Sequence, residues 1–236
     1  MCGRVIQSSG PLRYAFVDGM NVRDSRVSNY PPRWNAAPSQ ELLVIRRNRD
    51  TGQVSLDALR WGLIPYWCKD PSGGRKPINA KAETLRTLPS FREAYRKRRC
   101  IVPVDGFFEW KAIRGQKAKQ PFAIAMKDGS PFGIAGLWEN WKDPKTGEWI
   151  RTFVIITTDA NTLVADIHDR MPVILAPSAL CALARGRARP ARSHPAISVR
   201  GDADVADLDT RQQARERRRF DPRSGRAGRG LGISPF

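Results

Sequence analysis

Apolar positions along this chain come in short runs closed by Gly, Pro, Asn and Asp, and amphipathic-helix spacing is scarce. Cys2 to Gln7 alternates loosely and reads as a first strand, which places the N-terminus inside the fold. Glu41 to Arg46 and Val54 to Trp61 flank the turn signal Asp50-Thr51-Gly52 and read as a hairpin. Cys100 to Val104 is an apolar strand that Asp105-Gly106 turns into Phe107-Phe108-Glu109-Trp110-Lys111. Further strands are expected at 121–127, 132–138, 150–157 and from Val173 to Leu175. Helical signals cover Pro11 to Val17, Asn161 to Ile167, and Phe91 to Arg98, the last with Ser90 as N-cap and Glu93 completing a capping box. Residues 18–40 and 70–77 read as loop, and Trp61-Gly62-Leu63-Ile64-Pro65-Tyr66-Trp67 is too broken for a regular element. Many short strands with few helices predict a mostly β, α+β fold.

Composition narrows the class. The 236 residues suffice for one large domain or two small ones, and seven tryptophans allow a sizeable core. A net charge of +18 fits either a polyanionic partner, most simply nucleic acid, or a basic surface that binds nothing. No run approaches the roughly 18 apolar residues of a membrane span, and the N-terminus lacks the pattern of a signal peptide. The cysteines (Cys2, Cys68, Cys100, Cys181) are widely spaced without a CxxC pair, which disfavours structural zinc and fits a reducing cytoplasm. A monomer is the expected state.

The candidate chemistry starts at Met1-Cys2-Gly3-Arg4. With Met1 removed, Cys2 presents an α-amine beside a thiol. An α-amine, with a reference pKa of roughly 7.7–8.0, is far more often unprotonated at neutral pH than a lysine. It can form an imine with an aldehyde, and the thiol can close a thiazolidine. The competing reading is a small residue at a frayed end. Glu109 lies among Phe107, Phe108 and Trp110; buried there, its carboxyl suits acid–base work, whereas exposed it is an ordinary strand residue. His168 precedes Asp169-Arg170-Met171-Pro172 at a helix-to-strand junction. Asn79 and Lys81, two apart in an extended segment, face one side. Trp61 and Trp67 are either core plugs or stacking platforms for unpaired bases.

Five blocks carry a resemblance: Met1 to Arg4, Arg60 to Pro65, Asn79-Ala80-Lys81-Ala82-Glu83-Thr84, Arg99 to Pro103 with Gly106 to Trp110, and His168 to Pro172. In order and spacing they resemble the SRAP family, the SOS response-associated peptidases. The resemblance implies a compact, mostly β single domain over residues 1–175, without a metal or organic cofactor. It implies that Cys2 crosslinks the aldehyde of abasic sites in single-stranded DNA as a thiazolidine. Asn79 would hold the Cys2 backbone or thiolate, Glu109 shuttle protons, and His168 assist ring-opening or Schiff-base formation. Arg4, Lys81 and the tryptophan loop would line the DNA path. The family usually has Arg where Lys81 stands, and Lys lacks the bidentate phosphate fork. Other readings are an N-terminal-nucleophile peptidase limited to self-processing, a non-catalytic basic nucleic-acid binder, and a degenerate product that does not fold.

The resemblance stops near Leu175. Residues 176–236 hold no lysine, tryptophan or tyrosine, but thirteen arginines. This stretch reads either as a basic DNA-binding tail or, preferably, as disordered out-of-frame translation. With permitted codons, a one-nucleotide downstream shift turns Asp204-Val205-Ala206 into Met-Trp-Pro and gives family-like sequence for Asp207 to Arg218 and for Leu180 to Ala191. The frame change is expected between Val173 and Leu180. It would leave the domain C-terminally incomplete.

Overall fold

The computed structural model describes residues 2–14, 27, 29–48, 50–70, 76–176 and 208–209. The strands are β1 (Arg4–Gln7), β2 (Arg33–Ala36), β3 (Glu41–Arg47), β4 (Val54–Trp61), β5 (Asn79–Lys81), β6 (Arg99–Val104) and β7 (Gly106–Lys111). They continue with β8 (Gln120–Met126), β9 (Phe132–Lys142), β10 (Trp149–Asp159), β11 (Arg170–Pro172), β12 (Ile174–Leu175) and β13 (Leu208–Asp209). Among the described residues two short helices, α1 (Arg92–Lys97) and α2 (Thr162–Ala165), accompany the strands in a mostly β fold.

Strands β4, β3, β6, β9 and β10 close into a ring, because β10 pairs antiparallel with β9 and parallel with β4. Closure leaves these strands without a free edge. β5 and β11 both attach to the end of β10, and β12 attaches to β9. A second sheet, in the order β13-β8-β7-β1-β2, lies against the ring. The apolar run of β10 is buried on both faces: Phe153 and Ile155 join one core cluster with Cys2, Val5, Trp61 and Phe107, while Val154 and Ile156 join another with Leu43, Leu56 and Phe91. Double-sided burial explains why this strand reads as continuous apolar sequence. Gly136 of β9 lets three strands approach closely, since a Cβ there would meet Cys100 Sγ and the Val154 carbonyl, each at 3.0 Å.

Gln7 ties the sheet to the ring. Continuing the β3–β6 register sets Leu43 opposite Pro103, which has no N–H to donate. The buried Gln7 amide fills the gap: Nε2 donates to the Leu43 carbonyl (2.9 Å) and the Pro103 carbonyl (2.7 Å), and Oε1 accepts from Leu43 N (2.7 Å). Next to it, Asp105 accepts from the Ser8 and Ser9 amides and hydroxyls and from the Tyr14 hydroxyl. The strand that starts at the candidate nucleophile is therefore anchored at its far end.

Some local expectations change. The segment 18–40 contains β2, and Val5 pairing with Ala36 makes Trp34-Asn35-Ala36 a strand instead of loop. Ser90 does not cap α1; Phe91 stands at that position and no side chain caps the helix. The stretch from Pro11 is a single 3-10 turn to Tyr14, and residues 15–17 of the expected helix lie outside the described residues. Within 176–236 only residue 176 and β13 are described, β13 pairing with β8; the rest of the expected tail, including its change of frame, lies outside the described residues. Among the described residues no helix is long and apolar enough to cross a membrane.

Candidate active site

Cys2 is fully buried at the mouth of β1. Antiparallel pairing of β1 with β7 sets Arg4 opposite Phe108 and Val5 opposite Phe107, which brings the N-terminus alongside Glu109. Alternation along β7 points Phe107 and Glu109 to the same interior side, and Glu109 is 1% exposed. Burial raises the Glu109 carboxyl above its ordinary range; the N-terminal amine and His168 pull it down without cancelling the shift. Burial also pushes the Cys2 thiol up, and the Glu109 charge adds to that. The candidate nucleophile is therefore held as the thiol.

Asn79 enters from β5. Its side-chain amide donates to the Cys2 carbonyl across 2.8 Å, and its buried Oδ1 has no hydrogen-bond partner. Two contacts hold the approach to β5: Trp61 Nε1 donates to the Ile78 carbonyl at 2.9 Å, and Leu63 N donates to the Pro77 carbonyl at 3.0 Å. Lys81, on the same side of β5 as Asn79, is exposed.

His168 follows α2, whose Asn161 cap accepts from Val164 N at 2.9 Å. The Arg170 amide donates to His168 Nδ1 at 3.0 Å, and Asp169 Oδ1 lies 2.6 Å from the same nitrogen. The two contacts require opposite states of Nδ1. A neutral ring that accepts from Arg170 carries its proton on Nε2, while a proton on Nδ1 faces Asp169.

Cys2, Asn79, Glu109 and His168 thus share one region between the sheet and the end of β10. Arg4 stands beside it, half-buried, with Nη1 donating to the Gly3 carbonyl at 2.9 Å. Of the two tryptophans, Trp61 is a core plug: it is 1% exposed and stacks on Phe153 with ring centroids 6.1 Å apart. It has no face to offer a base, which corrects its assignment to the DNA path. Trp67 is 52% exposed. Its loop leaves β4 through Gly62 at φ +125°, a conformation that favours glycine, and is pinned where Trp141 Nε1 donates to the Cys68 carbonyl at 2.6 Å.

Glu83 and Arg170 belong to the motif blocks, yet nothing local in the sequence marks them as partners. The Arg170 guanidinium grips both Glu83 oxygens, at 2.9 and 3.0 Å, and holds that carboxyl below the usual carboxylate range. Opposite charges in two blocks were the only available signal.

With this geometry in view, the family model of the SOS response associated peptidases (SRAP) matches residues 1–195. The chain belongs to the SRAP family. The match runs past Leu175, the expected end of the domain. Abasic site processing protein YoqW of Bacillus subtilis is 50% identical over 146 residues, 62% of this chain and 63% of that protein. Abasic site processing protein YedK of Escherichia coli is 34% identical over 183 residues, 76% of this SRAP chain and 77% of YedK. A crystal structure of a protein from Bacteroides thetaiotaomicron superposes with a TM-score of 0.65 at 32% identity, covering 74% of this chain and 77% of that one. The matched part spans less than two thirds of the length of YoqW.

Proposed function

We propose that this SRAP chain processes abasic sites, trapping the ring-opened aldehyde in single-stranded DNA as a thiazolidine on Cys2 once Met1 is removed. The crosslink would shield the lesion during the response to DNA damage. The observation that carries this reading is the Cys2 carbonyl held by Asn79 at 2.8 Å beside the buried carboxyl of Glu109. The names of YoqW and YedK, abasic site processing proteins, support the substrate class.

The chemistry balances without a redox partner. The Cys2 amine adds to the aldehyde carbon, and the carbinolamine loses its hydroxyl as water with a proton from Glu109. Sγ then adds to the imine carbon, and its proton ends on the ring nitrogen. The net change is the loss of one water. Burial keeps the thiol protonated, so the amine attacks first and the thiol yields its proton as it adds. A raised carboxyl pKa suits Glu109 to give and take protons near neutrality. His168 assists ring-opening of the sugar or Schiff-base formation. Arg4 and Lys81 supply sequence-blind, salt-sensitive phosphate contacts, and Trp67 stacks on an unpaired base.

The test is a denaturing gel of Met1-free protein with a single-stranded oligonucleotide carrying one abasic site, run beside Cys2→Ala and an intact oligonucleotide. A denaturant-stable band that needs both Cys2 and the lesion is expected. Its absence from folded protein sinks the proposal. We also propose that residues 176–236 are translated out of frame, which the coding DNA tests directly: codons that cannot yield the family-like stretches in the shifted frame exclude it.

A further inference from the structure

We infer that Glu83 and Arg170 form a clamp that positions Asn79 and His168 together against Cys2. The inference rests on the crosslinking role proposed above and assigns two positioning residues to that same site.

β5 and β11 are three residues each, and each pairs with β10. Thr157 of β10 partners Lys81 on one side and Pro172 on the other. Strands this short hold little by themselves. Asn79 sits on β5, and His168 two residues before β11. Arg170 straps both to β10. Its Nη1 donates to Glu83 Oε1 (2.9 Å) and Asp159 Oδ1 (2.6 Å), and its Nη2 to Glu83 Oε2 (3.0 Å) and the Thr157 carbonyl (2.8 Å). The guanidinium thus crosses the end of β10 and grips the 3-10 turn Ala82–Thr84, which directly follows β5. Its own backbone N–H meanwhile sets His168 Nδ1. One residue fixes the imidazole through its backbone and the Asn79 strand through its side chain.

The Arg170 side chain is 12% exposed and Glu83 49%, so the fork holds by its geometry more than by burial. Two parallel N–H···O bonds constrain angle as well as distance, which a lysine cannot reproduce. The alternative role for a cation here is direct contact with a DNA phosphate. The two roles separate on Glu83: removing that carboxylate loosens a clamp, but frees a phosphate-binding guanidinium and tightens DNA binding.

Single-turnover crosslinking of the full, Met1-free chain to an abasic oligonucleotide decides between them, with Glu83→Gln, Arg170→Lys and the double variant. The clamp predicts that each single variant lowers the maximal rate about tenfold, while the oligonucleotide concentration for half-maximal rate stays within about twofold. It also predicts that the double variant is no slower than the slower single one. A Glu83→Gln protein that reacts at the wild-type maximal rate, or changes only in half-saturation, overturns the clamp. Hydrogen exchange on the free protein gives a reading that does not depend on crosslinking. Glu83→Gln should speed amide exchange in 76–84 and 166–175 together, with β3 and β6 unchanged. Unchanged exchange in either segment overturns the inference, whereas a wild-type protein that exchanges as expected but forms no crosslink sinks the Cys2 reading instead.

Discussion

The Asn79 side-chain amide donates to the Cys2 carbonyl at 2.8 Å, joining residues 77 positions apart in the chain. This bond fixes the Cys2 carbonyl and so, in the proposed Met1-free form, the direction of the amine that Cys2 presents. Asn79→Ala should slow crosslinking by about tenfold or more, while the loss of one hydrogen bond changes stability by only about 0.5–1.5 kcal/mol. Gel kinetics and a thermal melt on the same sample check both halves.

Glu109 should trade stability for chemistry. Its folded pKa is raised, so the native state takes up the proton at a higher pH than the unfolded chain does. Native stability then falls as pH climbs from the unfolded value, about 4.3, through the raised folded value, and the full penalty persists above it. Glu109→Gln should therefore raise the melting temperature at pH 7–8, with the gain fading by about pH 4, while crosslinking falls by roughly 10²–10⁴. Melts across pH beside crosslinking rates decide it; a variant less stable than wild type at neutral pH contradicts the reading.

Gln7 is expected to matter for stability without touching the chemistry. Gln7→Leu keeps the volume but strips the Leu43 N–H and carbonyl of their partner opposite Pro103. Each buried backbone group left unpaired costs about 1–3 kcal/mol. Urea unfolding should show a lower midpoint with an unchanged slope.

The two tryptophans should part company. Trp61→Ala removes a fully buried ring and costs about 3–5 kcal/mol of stability. Trp67→Ala changes stability little and weakens binding to single-stranded oligonucleotide by about 1–3 kcal/mol. Melting curves and fluorescence anisotropy separate the two outcomes.

Strand positions were legible wherever a local signal existed. The hairpin β3–β4 is written in alternation around Asp50-Thr51-Gly52, and β10 in a continuous apolar run that only a doubly covered strand carries. β2 was not legible, because Trp34-Asn35-Ala36 becomes a strand only through pairing with β1, a partner far away in sequence. Ser90 matched a capping box in sequence, yet α1 begins beyond its reach.

What the sequence by itself determined is the inventory and its local periods: an aminothiol near the N-terminus, a carboxyl in an apolar strand, a single histidine within residues 1–175, and a mostly β chain. These follow from residue type and spacing, which act over a few positions. Tertiary structure alone decided which tryptophan is buried, and that Glu109 loses its water. It also decided that the Gln7 amide replaces a missing peptide N–H, and that Arg170 grips Glu83 across β10. Burial and side-chain pairing depend on which strands become neighbours. In a closed ring that is settled by contacts between residues tens of positions apart, and no local pattern encodes them.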